Sequence, residues 1–253
     1  MTTIETKVLK KALIPIKCLV SEKTADAEFK IKFRKGSIKM DYINMERSAY
    51  GTYEWKNDNV SKSLLSQELV MTYGKLFHLL KGNKSLTFSK VKGKWFIMKD
   101  NGTKVQIECI KDYIEAPDFE KMSWNSNHTV VKTTGRELKR FNLKHFDEKG
   151  HYRCGNDNPH VTVHLDDKPR LHCEDPDKDS MTLNFLEKKG EDRKANYATW
   201  HMRRIIGGMP ISADVELGLG QDDCPLRLSI YEGQGKLYLA PIILREEKTL
   251  QSL

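Results

Sequence analysis

Long apolar runs are missing from this chain of 253 residues, and nothing in it approaches the ~18 consecutive hydrophobic residues of a membrane-spanning helix. The opening MTTIETKVLKK is polar and then basic, without the apolar segment and small-residue cleavage site of a secretory signal. Cysteine is scarce and dispersed, at Cys18, Cys109, Cys154, Cys173 and Cys224. An odd, scattered set argues against a disulfide framework and for a reducing compartment.

Catalytic signatures are also lacking. Gly218-Leu219-Gly220 sits in a strand pattern and has neither the further glycines nor the Lys of a phosphate-binding loop. There is no His-Glu-x-x-His and no Gly-x-Ser-x-Gly elbow. His151, Cys154, His160, His164, His172 and Cys173 fall close together, but their spacing is irregular for a zinc module. In alternating strands His164 and His172 would point outward and Cys173 inward. Turn chemistry and solubility account for Asp166, Asp167, Asp175, Asp177 and Asp179 more simply than a two-metal site. The expectation is a chain with no metal, no cofactor and no enzymatic activity.

Charge, in contrast, is abundant and unbalanced. Hydrophobic residues make up 38% and charged residues 31%, and 43 Lys and Arg against 35 Asp and Glu leave a net charge of +8. Such an excess attracts polyanions, nucleic acid above all, although a solvated Lys surface would give the same total. The positions of the cations therefore decide the matter.

Most of the chain alternates with a period of two. Phe29, Ile31 and Phe33 precede a Lys35-Gly36 turn, and Ile38, Met40 and Tyr42 follow it, which predicts a hairpin with one buried face. Leu86/Phe88, Val105/Ile107/Cys109, Val161/Val163/Leu165, Met181/Leu183/Phe185, Val215/Leu217/Leu219, Leu226/Leu228/Ile230 and Leu237/Leu239 continue the pattern. Four segments instead carry helical spacing. They are 7–20 (bent or shortened by Pro15), 70–81 with Val70, Tyr73, Phe77 and Leu80 on one stripe, 135–146 with Leu138, Phe141 and His145, and 199–209 with Trp200, Met202, Ile205 and Met209. Helix and strands alternate in the same order in both halves. This predicts an α+β chain of two tandem similar domains of antiparallel sheet with two short helices each: 1–110, a linker at 111–122, and 123–253.

The cations fall on the helical segments. Arg136, Arg140 and Lys144 stack at intervals of four beside Lys139; Lys10 and Lys17 share a face with Lys11 adjacent. Lys75, His78 and Lys81 share a side, and the last segment carries Arg203 and Arg204. Apart from Glu137 the middles of these segments hold almost no acid. An ordinary surface helix mixes signs, because i,i+4 pairs of opposite charge stabilise it, whereas single-sign faces repel themselves unless an anion meets them. The expected contacts are to phosphates, positioning without reading sequence.

The C-terminal stretch CPLRLSIYEGQGKLYLAPII (224–243) resembles the end of the proliferating cell nuclear antigen family of DNA sliding clamps, with Pro225, Leu226, Tyr238, Leu239, Ala240, Pro241 and Ile243 matching. Residues 195–220 are similar to the family's strand, helix and strand before that ending, 25–50 to its first hairpin and following loop, and 65–88 to its second helix region. The resemblance implies a two-domain subunit, three copies of which close head to tail around duplex DNA, with helices lining the hole. It also implies partners: a clamp loader, and a DNA polymerase and other proteins that insert a short peptide into a groove. Carried over, the groove is Ile43 and Arg47 from the loop after the first hairpin, Ile114 and Phe119 from the linker, and Pro225, Tyr238, Ala240 and Pro241. Ring closure would pair the strands Thr103–Ile110 and Asp179–Leu186, with Val105, Ile107, Cys109, Met181 and Leu183 at the subunit interface. A place in the cytoplasm, or in a eukaryotic nucleus, goes with that role. Members of the family are generally acidic overall, so the +8 is a departure; a viral or plasmid-borne clamp, an unusual cytoplasm or one subunit of a mixed ring would each account for it. Two other readings stay open, an open monomeric processivity factor held electrostatically and a checkpoint-type paralogue in a hetero-oligomeric ring.

Overall fold

The computed structural model describes residues 1–19, 26–44, 47–111, 113, 128–143, 160–174, 179–220 and 225–242. A β-α-β-β-β unit occurs four times along them. The first comprises β1 (Thr2–Glu5), helices α1 (Thr6–Ala12) and α2 (Ile14–Leu19), β2 (Glu28–Arg34), β3 (Ser37–Ile43) and β4 (Ala49–Lys56). The second comprises β5 (Glu68–Thr72), α3 (Tyr73–Leu80), β6 (Ser85–Val91), β7 (Lys94–Lys99) and β8 (Lys104–Ile107). The third is β9 (Thr129–Thr134), α4 (Gly135–Leu138), β10 (His160–Leu165), β11 (Arg170–Glu174) and β12 (Ser180–Asn184), followed by the short β13 (Lys188–Lys189). The fourth is β14 (Arg193–Ala198), α5 (Thr199–Gly208), β15 (Asp214–Leu219), β16 (Leu226–Ile230) and β17 (Gly235–Leu239).

Within each half the two units exchange their first strands. β1 lies in a sheet with β6, β7 and β8 while β5 joins β2, β3 and β4; β9 lies with β15, β16 and β17 while β14 joins β10, β11 and β12. The antiparallel pairing of β4 with β17, from Ala49↔Leu239 to Tyr53↔Gly235, then fuses one sheet of each half into a sheet of nine strands. By the same topology β8 and β12 are the counterparts of β4 and β17, and they form outer edges of the two four-stranded sheets. The two-domain antiparallel architecture agrees with the expectation. The finer repeat escaped it because the leading strands run directly into helices, so the two periods overlap within a few residues.

A common apolar core runs through both halves. In the first, Phe33 lies between Phe88 and Trp95, with ring centroids 5.9 and 5.6 Å away, tying β2 to the neighbouring sheet. Beneath the β4–β17 seam α2 packs against α5, and two glycines permit the approach. A Cβ on Gly51 would stand 3.1 Å from Pro15 and Leu19, and one on Gly208 would stand 2.8 Å from the Cα of Cys18.

The helical segments differ in detail from their sequence patterns. Segment 7–20 is two helices divided at Leu13, with Pro15 at the second position of α2, where a missing N–H costs nothing. In 70–81 the stripe is wrong: β5 continues to Thr72, whose hydroxyl accepts from Lys75 N and caps the helix, so the phase starts at Tyr73. Leu76, Leu79 and Leu80 face the core, Val70 is a buried strand residue, and Phe77 is 45% exposed. α4 is a single turn, although Phe141 and Leu143 beyond it are buried; His145 lies outside the described residues. In α5 Ile206 takes the buried place expected of Trp200, which is half-exposed.

Gly208→Val is expected to lower stability by about 1–3 kcal/mol through overpacking against α2. Gly207→Ala, where a Cβ would meet nothing within 4 Å, should be neutral or raise stability by up to about 1 kcal/mol. Denaturant titration of both variants checks the pair.

Candidate nucleic-acid interface

The helices form one unbroken row. Thr6 N donates to Lys84 O at 2.8 Å, setting the start of α1 beside the segment that leaves α3. α1 leads into α2, and α2 packs on α5. Gly135 N donates to Ala213 O at 2.8 Å, the same contact in the second half, and Lys139 Nζ donates to Gly207 O at 3.2 Å. Those bonds hold α4 against the end of α5, and the order is α3–α1–α2–α5–α4. Gly135 is required there, because a Cβ would lie 1.9 Å from Pro210 O.

The expected cations stand on this row. Lys10, Lys11, Lys17, Lys75, Lys81, Arg136, Lys139 and Arg140 are exposed, while Arg203 and Arg204 are half-buried. Lys144 lies outside the described residues. Arg204 stacks on Trp200 with its guanidinium carbon 4.7 Å from the ring centroid, and Lys11 Nζ lies 5.2 Å from that of Tyr231. None of α1, α2, α3 and α5 has an acid in its first turn, where the helix dipole favours one. Glu137 in α4 has a local duty: its carboxylate accepts from Thr134 N at 3.2 Å and Thr133 Oγ1 at 2.9 Å, while Thr134 Oγ1 accepts from Glu137 N. Under the row, burial pushes the Cys18 thiol up to about 12, even with Lys17 and Lys139 pulling the other way, so it stays protonated.

On the far side of the nine-stranded sheet, Ile43, Tyr50 and Tyr238 form a separate apolar cluster. They are direct cross-strand neighbours, Ile43↔Tyr50↔Tyr238. The rings of Tyr50 and Tyr238 are 5.8 Å apart. All three are buried, as is Pro225, whereas Arg47, Ala240 and Ile242 are exposed and Pro241 is half-exposed. The expected groove is thus an already covered patch with an accessible rim. Ser48 ties that rim together: its carbonyl accepts from Ala240 N at 2.8 Å, and its hydroxyl lies 2.9 Å from both Asn44 Nδ2 and His201 Nε2 of α5. Ile114 and Phe119 lie outside the described residues. Tyr113, which begins the connection, donates to Asp41 O at 3.1 Å, and Lys30 Nζ lies 5.1 Å from its ring centroid. Asp41 also accepts from Thr52 Oγ1 at 3.0 Å and from the Tyr50 hydroxyl, which burial and that carboxylate hold far above the ordinary phenol range.

Sequence reasoning missed Tyr50, Ser48, Tyr113 and His201. β4 shows no alternation because both its faces are covered, and a two-residue period was the only signal sought there.

The side chains expected at a subunit interface all contact the chain's own core. Ile107 is buried; Val105, Met181 and Leu183 are half-buried and pack on the chain's own core, as does Cys109, which lies past the end of β8. What β8 and β12 present sideways is backbone. Leu186, immediately after β12, is 95% exposed. In the third sheet the register sets Cys173 opposite Val161 and inward, with His172 opposite Thr162 on the other face, as alternation predicts. Asp166 accepts from Lys168 N at 2.9 Å, the turn chemistry expected of it.

No family model matches the sequence, and no curated protein does. Solved structures do. A structure titled as the C-terminal region of FEN-1 bound to A. fulgidus PCNA aligns over 97% of this chain and 99% of its own, with a TM-score of 0.69 at 14% identity. Proliferating cell nuclear antigen from Entamoeba histolytica aligns over 96% and 98%, with a TM-score of 0.70 at 18% identity. The chain has the sliding-clamp fold. The DNA polymerase III beta subunit from Thermotoga maritima shares it with a TM-score of 0.71 at 12% identity; 96% of this chain is covered but 65% of that one, so the chain spans about two thirds of the bacterial clamp.

In this clamp fold His201 joins the helix row to the rim. Burial first, and the Arg204 guanidinium second, pull its pKa from the usual 6.5 down to about 4. The unfolded state therefore binds the extra proton between those values, so stability falls as pH drops through that window. The free energy of unfolding, read by denaturant titration, should decline from pH 6.5 to 4, and by about 3 kcal/mol more in wild type than in His201→Gln.

Proposed function

We propose that this chain is a non-catalytic ring subunit of the proliferating-cell-nuclear-antigen type, which encircles duplex DNA and tethers replication and repair proteins to it. The unbroken cationic row of helices carries the reading. Among the described residues the helices of this row contain one acid, Glu137, with Glu5 at the start of α1; such a cationic surface costs self-repulsion, and a phosphate backbone relieves it. Lys10, Lys11, Lys17, Lys75, Lys81, Arg136, Lys139, Arg140, Lys144, Arg203 and Arg204 are assigned to that contact. Because the side chains there are flexible cations, binding is weak and salt-sensitive, which permits sliding.

The edges support ring closure. β4 and β17 pair inside the chain, and their topological counterparts β8 and β12 are left with outer edges, so β8 of one subunit joining β12 of the next repeats the internal seam and closes as a heterologous contact. Three copies complete a ring of six like domains. The rim formed by Arg47, Ala240, Pro241 and Ile242 over the Ile43–Tyr50–Tyr238 patch is assigned to partner peptides, with Ile114 and Phe119 of the linker. Tethering raises a polymerase's local concentration on DNA without tight binding. A clamp loader would open the ring.

Light scattering on the full chain should give a particle of three subunits. Leu186→Asp should lower that mass while leaving the circular dichroism of the folded chain unchanged; a wild-type particle of one subunit would sink the ring and favour the open electrostatic factor. After loading, closed circular DNA should retain the protein while linear DNA with free ends loses it.

A further inference from the structure

We propose that the helix row meets duplex DNA through two apolar contacts as well as its cations, made by Phe77 of α3 and Ile211 of the α5–β15 connection. The inference rests on the DNA-encircling reading above. Among the described residues few large hydrophobic side chains are exposed, and Phe77 (45%) and Ile211 (55%) are the two on the helix side. Neither is needed for packing. α3 already buries Leu76, Leu79 and Leu80, and α5 buries Met202, Ile205 and Ile206.

Each is set among cations. Tyr73, Phe77 and Lys81 follow one another at intervals of four and form a ladder along α3. The Tyr73 and Phe77 rings are 5.8 Å apart and within 10° of parallel, and Lys81 Nζ lies 5.6 Å from the Phe77 centroid. The ladder fixes the Phe77 ring, so little entropy is lost when a partner meets it. Lys75 and His78 flank it. Ile211 shares a shallow recess with Arg136, Arg140 and Glu137 at the other end of the row, the Glu137 carboxylate being engaged by Thr133 and Thr134.

Duplex DNA offers the matching surface, in which charged phosphates alternate with the C–H edges of deoxyribose along the groove walls. The apolar groups are single and well separated along a rigid row, which suits a repeating polymer better than the continuous apolar stripe of a membrane-surface helix.

The two kinds of contact separate by their salt dependence. A phosphate contact releases counterions and adds about one unit to the slope of log affinity against log salt, whereas an apolar contact adds none. Binding of the full chain to a short labelled duplex is measured by fluorescence anisotropy from ~50 to ~200 mM salt. Phe77→Ala and Ile211→Ala should each weaken it about fivefold at every salt concentration, the worth of burying on the order of 40 Å² of apolar surface, with the slope unchanged. Phe77→Leu should retain most of the affinity. Lys75→Gln and Arg136→Gln should instead reduce the slope by about one. Wild-type affinity in both alanine variants, or a change of slope like that of the cation variants, overturns the inference while leaving the clamp reading intact. A loss confined to single-stranded DNA, or to phosphatidylserine vesicles, overturns it too. Failure of the wild-type chain to bind duplex at any salt brings down both.

Discussion

The seam between β4 and β17 is the contact on which the rest of the molecule depends. It joins two half-chains into a nine-stranded sheet and sets α2 against α5 beneath it, with Gly51 and Gly208 clearing the space. Without that pairing each half would present a raw strand edge and only part of the helix row. With it, the five helices of the described residues become a single surface, and charges that are far apart in sequence become neighbours. Antiparallel ladders suit the purpose because their geometry is set by backbone hydrogen bonds and tolerates almost any side chain. The same economy explains how 18% identity or less can accompany a shared fold across proteins of very different origin.

The two sides of the sheets solve opposite electrostatic problems. On the helix side cations go largely uncompensated within the row. On the strand side they are paired: Lys30 Nζ meets Glu68 at 3.0 Å, while Lys32 and Lys39 reach Asp41, each at 3.4 Å. Lys30 and Asp41 are almost fully buried, and burial of such groups is tolerable only with partners. Tyr113 is drawn onto this network, which ties the start of the interdomain connection to the first domain's sheet. The lysines paired with Glu68 and Asp41 add little to the net charge of +8, whereas the cations of the row do contribute to it.

His201 and Ser48 link these two sides. The imidazole comes from α5, the hydroxyl from the loop after β3, and the Ser48 carbonyl holds the strand end that becomes the rim. A neutral, buried His in this position makes the junction sensitive to acid but indifferent to changes near neutrality.

The sequence by itself determined the architecture and the sign of the surface. Alternation at Phe29–Phe33, Val161–Leu165 and Val215–Leu219 marks half-buried strands, and Lys10, Lys11 and Lys75 declare cationic helix faces, because both signals are periodic and local; Arg140 falls beyond the single turn of α4 that carries Arg136. The tertiary structure alone decided three things. It decided the phase of α3, since Thr72 as cap turns Phe77 outward. It decided the place of Tyr50, since a strand covered on both faces has no period to read. It also decided that Val105 and Leu183 pack on their own core from strands that, among the described residues, form the outer edges of their sheets. Each of these depends on which element lies against which, and that is settled by long-range pairing whose partners no local window contains.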